Sequence, residues 1–412
     1  MNILISAYSC NPYLGSEDAV GWNWIYQYSK NASSTDTIYV ITKRFNEVAM
    51  RKGIEEFGLN NVELWISEPP RYLDWFREKH SIFHHMYYLL WQKWAYKFVV
   101  KQNIKFDIIH HVTMTDWRFS GYFAKFKSSY TIFGPVGGGQ EIPKCLKRYQ
   151  KKRIMEFVRT FANKSRKTIP SFCRNINSFN AIYVVNKETQ QYINEIVTDK
   201  SKVRIIPDVA IGESYKNIET SHSNFKKHKL LFCGRYDLPR KGAEFLVESL
   251  TFLPKNFEYS LDLYGGPEKC YLKKRITELG LTEKVHLCGK IPYTEMKTVY
   301  SKYDAFVFPS LRETGGNVLF EAMANGLPIV GFDTSLSSVL KEYQCGIFVP
   351  TECSLHELKE KFAQAILEVF GSNYFLYSNN AYTFANEETW DYKYKLIMDN
   401  YKEIHLQDEH NQ

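Results

Sequence analysis

Two carboxylates eight residues apart, Glu313 and Glu321, stand in the run PSLRETGGNVLFEAMANGLPIVGF, residues 309–332. Gly315 and Gly316 between them allow a backbone to approach a ligand closely. A helix from about Asn317 to Ala324, stopped by Gly326 and Pro328, offers free N–H groups and the positive end of its dipole behind those glycines. That arrangement suits a diphosphate. Glu321, on the second turn, can accept hydrogen bonds from ribose hydroxyls, and Glu313, in the loop after a strand, can meet a sugar ring. The plainer reading is an ordinary βαβ unit with two solvent-facing acids.

A second run, CGRYDLPRKG at 233–242, sends Arg235 and Lys241 from one strand-end loop. Two fixed cations stabilise the charge that builds on a departing pyrophosphate; a solvated basic turn is the alternative. In FDIIHHVT, residues 106–113, a strand ends in His110 and His111. Neighbouring strand residues point to opposite faces, so one of the two is expected to reach a cleft. A buried, hydrogen-bonded pair is the competing expectation. The loop NPYLGSEDAVGW, with Gly15 and Ser16, follows the first strand, and FGPVGGGQE, residues 133–141, follows a later one.

These groups need a scaffold that puts strand ends together. Strands are expected at Ile3–Ala7, Thr37–Ile41, Val62–Ile66, Asp107–His110, Tyr130–Phe133, Ala181–Val185 and Val203–Ile206. A second series runs Lys229–Cys233, Tyr259–Tyr264, Val285–Leu287, Ala305–Phe308 and Pro328–Phe332, with helical material between most of them. Alternating strands and helices predict parallel α/β sheets, and two such series predict two doubly wound domains. Such sheets bind ligands at the C-terminal ends of their strands, which places a site in a cleft where the two domains face each other. The polar stretch 212–229 is the expected linker. The expected boundaries are 1–206, 207–385, and a C-terminal helix and tail over 386–412.

Composition narrows the class. Of 412 residues, 44% are apolar and 24% charged, enough for two cores. No apolar run is long enough to span a bilayer, and the N-terminus reads as a buried strand rather than a signal peptide. Eight scattered cysteines form no C-x-x-C pair, so neither a zinc knuckle nor a disulfide framework is indicated, and a reducing cytoplasm fits. Charge is uneven: residues 144–167 hold ten Lys or Arg and one acid, Glu156, a net of +9 against +8 for the whole chain. Leu146, Ile154, Phe157, Val158 and Phe161 recur there at roughly helical spacing, so the stretch is either a basic amphipathic helix for an anionic inner-leaflet surface or a solvated face of a core helix. Residues 71–101 carry ten aromatics, including Trp75, Phe83, Tyr87, Tyr88, Trp91 and Trp94, readable as core or as a greasy acceptor- or membrane-facing surface. Nothing else in the sequence accompanies the basic charge that would indicate nucleic acid as a partner.

Taken together, the runs at 233–242 and 309–332 resemble the retaining glycosyltransferases of family 4, which have the GT-B fold. Glu313, Glu321 and AMANGLP match the family's Glu-x7-Glu pattern and the stretch after it, and GRYDLPRKG matches its Gly-Arg loop ending in Lys-Gly. HLCGKIPYTEMKTVYSKYDAFVFPS and ETWDYKYKLIMDNYKEI are also similar to the family, so the likeness is good from about 200 to 404 and looser before. One departure is Gly315, where relatives carry a bulkier residue.

The resemblance implies a GT-B pair of Rossmann-like domains and transfer of a sugar from a nucleotide-sugar donor, with retention, to a glycan or lipid-linked acceptor. Surface polysaccharide biosynthesis, as of capsule or lipopolysaccharide, is the implied setting, and a cytoplasmic, peripherally membrane-associated protein the implied location. It implies donor contacts at Gly15, Ser16, Gly234, Arg235, Lys241, Glu313, Gly315, Gly316, Asn317, Val318 and Glu321. Catalytic roles are implied for Glu313, Arg235, Lys241 and one of His110 and His111. No cofactor and no metal are expected; the sequence has no Asp-x-Asp. A sugar-nucleotide epimerase of the same fold and a non-catalytic sugar-nucleotide-binding protein are the alternatives.

Overall fold

The computed structural model describes all residues except 16, 71–72, 74–80, 115, 151–152, 212–226, 268 and 411–412. The described chain divides into two compact units. The first holds Met1–Gly139, Phe161–Asp208 and Trp390–Gln412, and the second Gln140–Thr160 and Val209–Thr389.

Unit 1 is built on seven strands: β1 Asn2–Ser6, β2 Thr37–Thr42, β3 Val62–Ile66, β4 Ile108–His111, β5 Tyr130–Val136, β6 Ala181–Val184 and β7 Val203–Ile205. All pairings are parallel, in the order β3-β2-β1-β4-β5-β6-β7. Runs such as ILI at 3–5 are buried on both faces, as a sheet covered by helices on each side requires. The strand order reverses between β1 and β4, which is the switch point of a doubly wound sheet. The aromatic helix Ser81–Lys101 belongs to this core: Tyr87, Tyr88, Trp91, Ala95 and Val99 are buried together with Trp65 and Phe106. Tyr87, Tyr88 and Trp91 are thus core, while Met86, Leu89 and Val100 of the same helix are exposed; Trp75 and the side chain of Phe83 lie outside what is described. The C-terminal helix Trp390–His410 packs on the helix Glu17–Lys30, Trp390 against Trp24 and Tyr394 against Tyr28. Buried Lys393 donates to the Pro207 carbonyl at 2.8 Å.

Unit 2 carries β8 His228–Cys233, β9 Tyr259–Tyr264, β10 Val285–Leu287, β11 Ala305–Phe308, β12 Ile329–Phe332 and β13 Gly346–Val349. The sheet is again wholly parallel, ordered β10-β9-β8-β11-β12-β13, with its switch point between β8 and β11. The edge strand β13 is not among the expected strands: four residues after a charged helix end give too short an apolar run to stand out. Of the expected linker, 212–226 lie outside the described residues, and His228 is already in β8.

The expected first domain, 1–206, is one continuous stretch, but 140–160 cluster with unit 2. Glu248 explains the attachment. Its buried carboxylate receives Tyr149 Oη at 2.6 Å, Lys359 Nζ at 2.6 Å and Arg275 Nη2 at 2.6 Å. Burial alone would raise its pKa; the hydrogen bonds from Lys359, Tyr149 and Arg275 outweigh this and hold it at about 2.

Candidate functional site

The loops leaving β8 and β11 meet at the switch point of unit 2. After β8, Gly234 turns the chain at φ 150°, and a short 3-10 turn, Pro239–Lys241, leads to Gly242. Gly242 has φ 78°, and a Cβ there would lie 1.8 Å from the Pro309 carbonyl oxygen. Only glycine permits both the left-handed turn and this approach of the loop after β8 to the loop after β11. The Leu311 N–H donates to the Arg240 carbonyl at 2.8 Å and locks the two loops in register.

That register brings Lys241 to Glu313. Their side chains form an ion pair, 15% and 18% exposed. Ser310 Oγ donates to the same carboxylate oxygen at 3.3 Å, and the Lys241 ammonium lies 5.5 Å from the centre of the Phe308 ring. Glu313 also lies against Gly316: a Cβ on that glycine would be 3.5 Å from Glu313 Cγ. Gly316, at φ 74°, is the N-cap of the helix Asn317–Ala324, whose bounds are those read from the sequence. A carboxylate, an ammonium and the N–H groups of Asn317 and Val318 thus share one end of one sheet, where a doubly wound fold binds ligands. Gly315 and Gly316 are buried beneath this edge.

Glu321 lies one turn further along the same helix, 8% exposed, and its Oε2 accepts from buried Tyr300 at 2.7 Å. Arg235 does not join Lys241 in the way two cations from one loop were expected to. Its guanidinium, 54% exposed, forks onto Asp237 at 3.0 and 2.6 Å. The acid two residues before the PRK turn captures it, and the hydrogen bond from Arg235 pulls the Asp237 pKa below the usual carboxylate value.

In unit 1, both histidines are interior. His110 Nε2 donates to the Gly134 carbonyl at 2.7 Å, which leaves Nδ1 to accept from Tyr28 Oη at 3.1 Å. His111 meets Ser6 Oγ at 2.9 Å through Nδ1 and Tyr88 Oη at 2.6 Å through Nε2. Burial pushes both pKa values down to about 3, so both rings are neutral. Both histidines thus take the arrangement of the competing expectation, a buried, hydrogen-bonded pair. In a parallel sheet covered on both sides the two faces of β4 are equally interior, and every ring nitrogen already has a protein partner.

A Cβ at Gly15 would meet open space, and Ser16 lies outside the described residues. The next residue was missed by sequence reasoning. Glu17 accepts from the Met114 N–H at the switch point between β1 and β4, and burial raises its pKa to about 7. An acid in a glycine-containing loop directly after the first strand was the available signal. Among the described residues no group of three or more His, Cys, Asp or Glu is placed to hold a metal ion, and no helix is long and apolar enough to cross a membrane.

Residues 215–373 match the family described as Glycosyl transferases group 1. The chain is similar to the GtfA subunit of a UDP-N-acetylglucosamine–peptide N-acetylglucosaminyltransferase from Streptococcus pneumoniae serotype 4, at 25% identity over 194 residues, 46% of this chain and 37% of that one. It spans well under half the length of the curated relatives it matches. Among solved structures it is similar to a sucrose-phosphate synthase from Thermosynechococcus elongatus, with TM-score 0.65, 15% identity and coverage of 98% and 99% of the two chains. Anabaena Alr3699/HepE in complex with UDP gives TM-score 0.60, 15% identity and coverage of 99% and 100%. The fold, two doubly wound parallel sheets of seven and six strands, is the GT-B type that the sequence resemblance implied.

Proposed function

We propose, on the premise that residues 215–373 belong to the glycosyl transferases group 1, that this chain transfers a sugar from a nucleotide-sugar donor to a glycan or lipid-linked acceptor in surface-polysaccharide assembly. The Lys241–Glu313 pair at the head of the helix Asn317–Ala324 carries the reading. A diphosphate seated on the Asn317 and Val318 N–H groups would take part of the Lys241 ammonium, and the freed share of the Glu313 carboxylate would face the sugar. As the bond from the anomeric carbon to the diphosphate breaks, its electron pair goes to a phosphate oxygen that Lys241 and the helix N–H groups stabilise, while the acceptor hydroxyl oxygen bonds to that carbon from the same face and passes its proton to the departing phosphate. Glu313 holds the donor hydroxyls and offsets positive character at that carbon. In this reading transfer is retaining and needs no metal ion. Glu321, one turn along the helix and anchored by Tyr300, is the carboxylate proposed to accept from ribose hydroxyls. Gly234 would leave backbone room beside the donor, and Arg235 is a rim cation that a phosphate can draw from Asp237.

UDP is the proposed nucleotide, supported by the UDP-dependent relative and the UDP-bound neighbour. The proposed location is the cytoplasmic face of a membrane, without insertion. Support comes from Ile154, Phe157, Val158 and Phe161, which are 79%, 73%, 54% and 64% exposed on one helix. Exposed Lys144, Lys147, Lys164 and Lys167 lie in the same basic stretch. A thermal-shift panel of nucleoside diphosphates and their sugars tests the donor: UDP at a hundred times its Kd should stabilise the chain by about 2.7 kcal/mol. No shift with any member would remove the reading.

A further inference from the structure

The helix Arg153–Arg166 has a second face. At about 100° per residue, Ile154, Phe157, Val158 and Phe161 fall within one arc, and Glu156, Arg159 and Asn163 lie on the opposite side. That opposite side reaches the donor loop. Glu156 pairs with Arg312, the neighbour of Glu313. Arg159 Nη1 donates to the Gln140 carbonyl at 2.6 Å, and Gln140 Nε2 donates to the Glu313 carbonyl at 2.9 Å. Glu156 and Arg159 are also within 3.8 Å of each other. Gln140 is 1% exposed, so its amide is committed to this bridge. All five residues, Gln140, Glu156, Arg159, Arg312 and Glu313, belong to unit 2. The backbone on either side of the Glu313 carboxylate is therefore held by a segment that is remote in sequence and belongs to neither β8 nor β11.

We infer that Gln140 and the helix Arg153–Arg166 form a clamp that positions Glu313, and that docking of the exposed apolar face on an anionic bilayer tightens it. The inference rests on the membrane reading above for its trigger and on the contacts just given for its linkage. Gln140 and Glu156 are positioning residues: they touch the loop, not the donor. A bilayer that orders the helix from outside limits the motion of Glu156 and Arg159, and through Arg312 and Gln140 it orders the segment 310–316. The chain would then turn over slowly in solution and faster at the surface that carries its acceptor.

Amide hydrogen exchange on the full chain tests this without donor or acceptor. E156Q and Q140A should each speed exchange in peptides covering 310–316 by about fivefold or more, with the rates of β8 and β11 unchanged. The charge swap E156R/R312E should restore slow exchange, which a merely misfolded E156Q could not explain. Vesicles of phosphatidylcholine and phosphatidylglycerol at 3:1 should slow exchange both at 154–161 and at 310–316 in the wild type, and only at 154–161 in E156Q. Unchanged exchange at 310–316 in both single variants overturns the clamp. Vesicle protection confined to 154–161 in the wild type overturns the coupling. Neither readout depends on sugar transfer, so a failed transferase assay would sink the proposed reaction while leaving this result legible.

Discussion

Replacing Glu313 with Gln keeps the shape of the side chain and removes its charge. The Lys241 ammonium, 15% exposed, then faces an amide in place of a carboxylate. Breaking a fully buried pair on one side costs about 3–5 kcal/mol, and the partial exposure here brings the expected loss to about 2 kcal/mol of stability. The effect on turnover is separable. If Glu313 acts only as a strut for the loop, E313Q should lose stability but keep kcat at saturating donor, and K241M/E313Q should recover the stability, since neither charge is then left unpaired. If Glu313 also faces the anomeric carbon, E313Q loses kcat at saturating donor even where the chain is fully folded. The expected fall in kcat is at least about tenfold, equivalent to 1.4 kcal/mol or more of transition-state stabilisation. Wild type, both single variants and the double variant should be compared by denaturant unfolding and by steady-state transfer from the donor identified in the thermal-shift panel. A kcat within twofold of wild type in E313Q refutes the catalytic role.

Three further outcomes follow from the same geometry. Gly242→Ala sets a Cβ against the Pro309 carbonyl at a left-handed φ, so it should cost about 3 kcal/mol by chemical denaturation and uncouple Lys241 from Glu313. His110 and His111 are neutral in the fold with pKa values near 3, against 6.5 when free. The unfolded chain binds the extra protons, so stability is full above pH 6.5 and falls as pH drops toward 3, by up to about 1.4 kcal/mol per pH unit for each ring; H110Q should remove one ring's share of that slope. Glu17 has the opposite sign. Its carboxyl keeps its proton to about pH 7 in the fold and to about 4.5 unfolded, so stability is lost as pH rises between those values. E17Q should therefore gain about 3 kcal/mol at pH 8 and nothing at pH 4, measured by urea melts at both.

The C-terminal sheet was readable because its signals are local. Gly326 and Pro328 end the helix Asn317–Ala324, and apolar runs between turns mark β8, β9, β10 and β11 within a residue of their observed bounds. The meeting of Lys241 and Glu313 was inferred from a family pattern and is made in the structure by Gly242, whose missing side chain lets two loops touch. What stayed hidden depends on contacts distant in sequence. Gln140 reaches Glu313 across 173 positions and Arg312 reaches Glu156 across 156, and no periodicity encodes either. The burial of the histidine pair stayed hidden for a different reason. Alternation along a strand tells which face a side chain takes, but not that both faces of β4 are sealed, by Tyr28 on one side and Tyr88 on the other. Arg235 forks onto Asp237, two residues on, a local pairing that the motif CGRYDLPRKG does not by itself mark.

Titration calorimetry of UDP against the wild-type chain and K241M bears most directly on the claim that the loops after β8 and β11 grip a diphosphate. The account predicts saturable one-to-one binding to the wild type and an affinity at least about tenfold weaker in K241M, with the fold intact by circular dichroism. Equal affinity in the two proteins, or no binding to either, would contradict it.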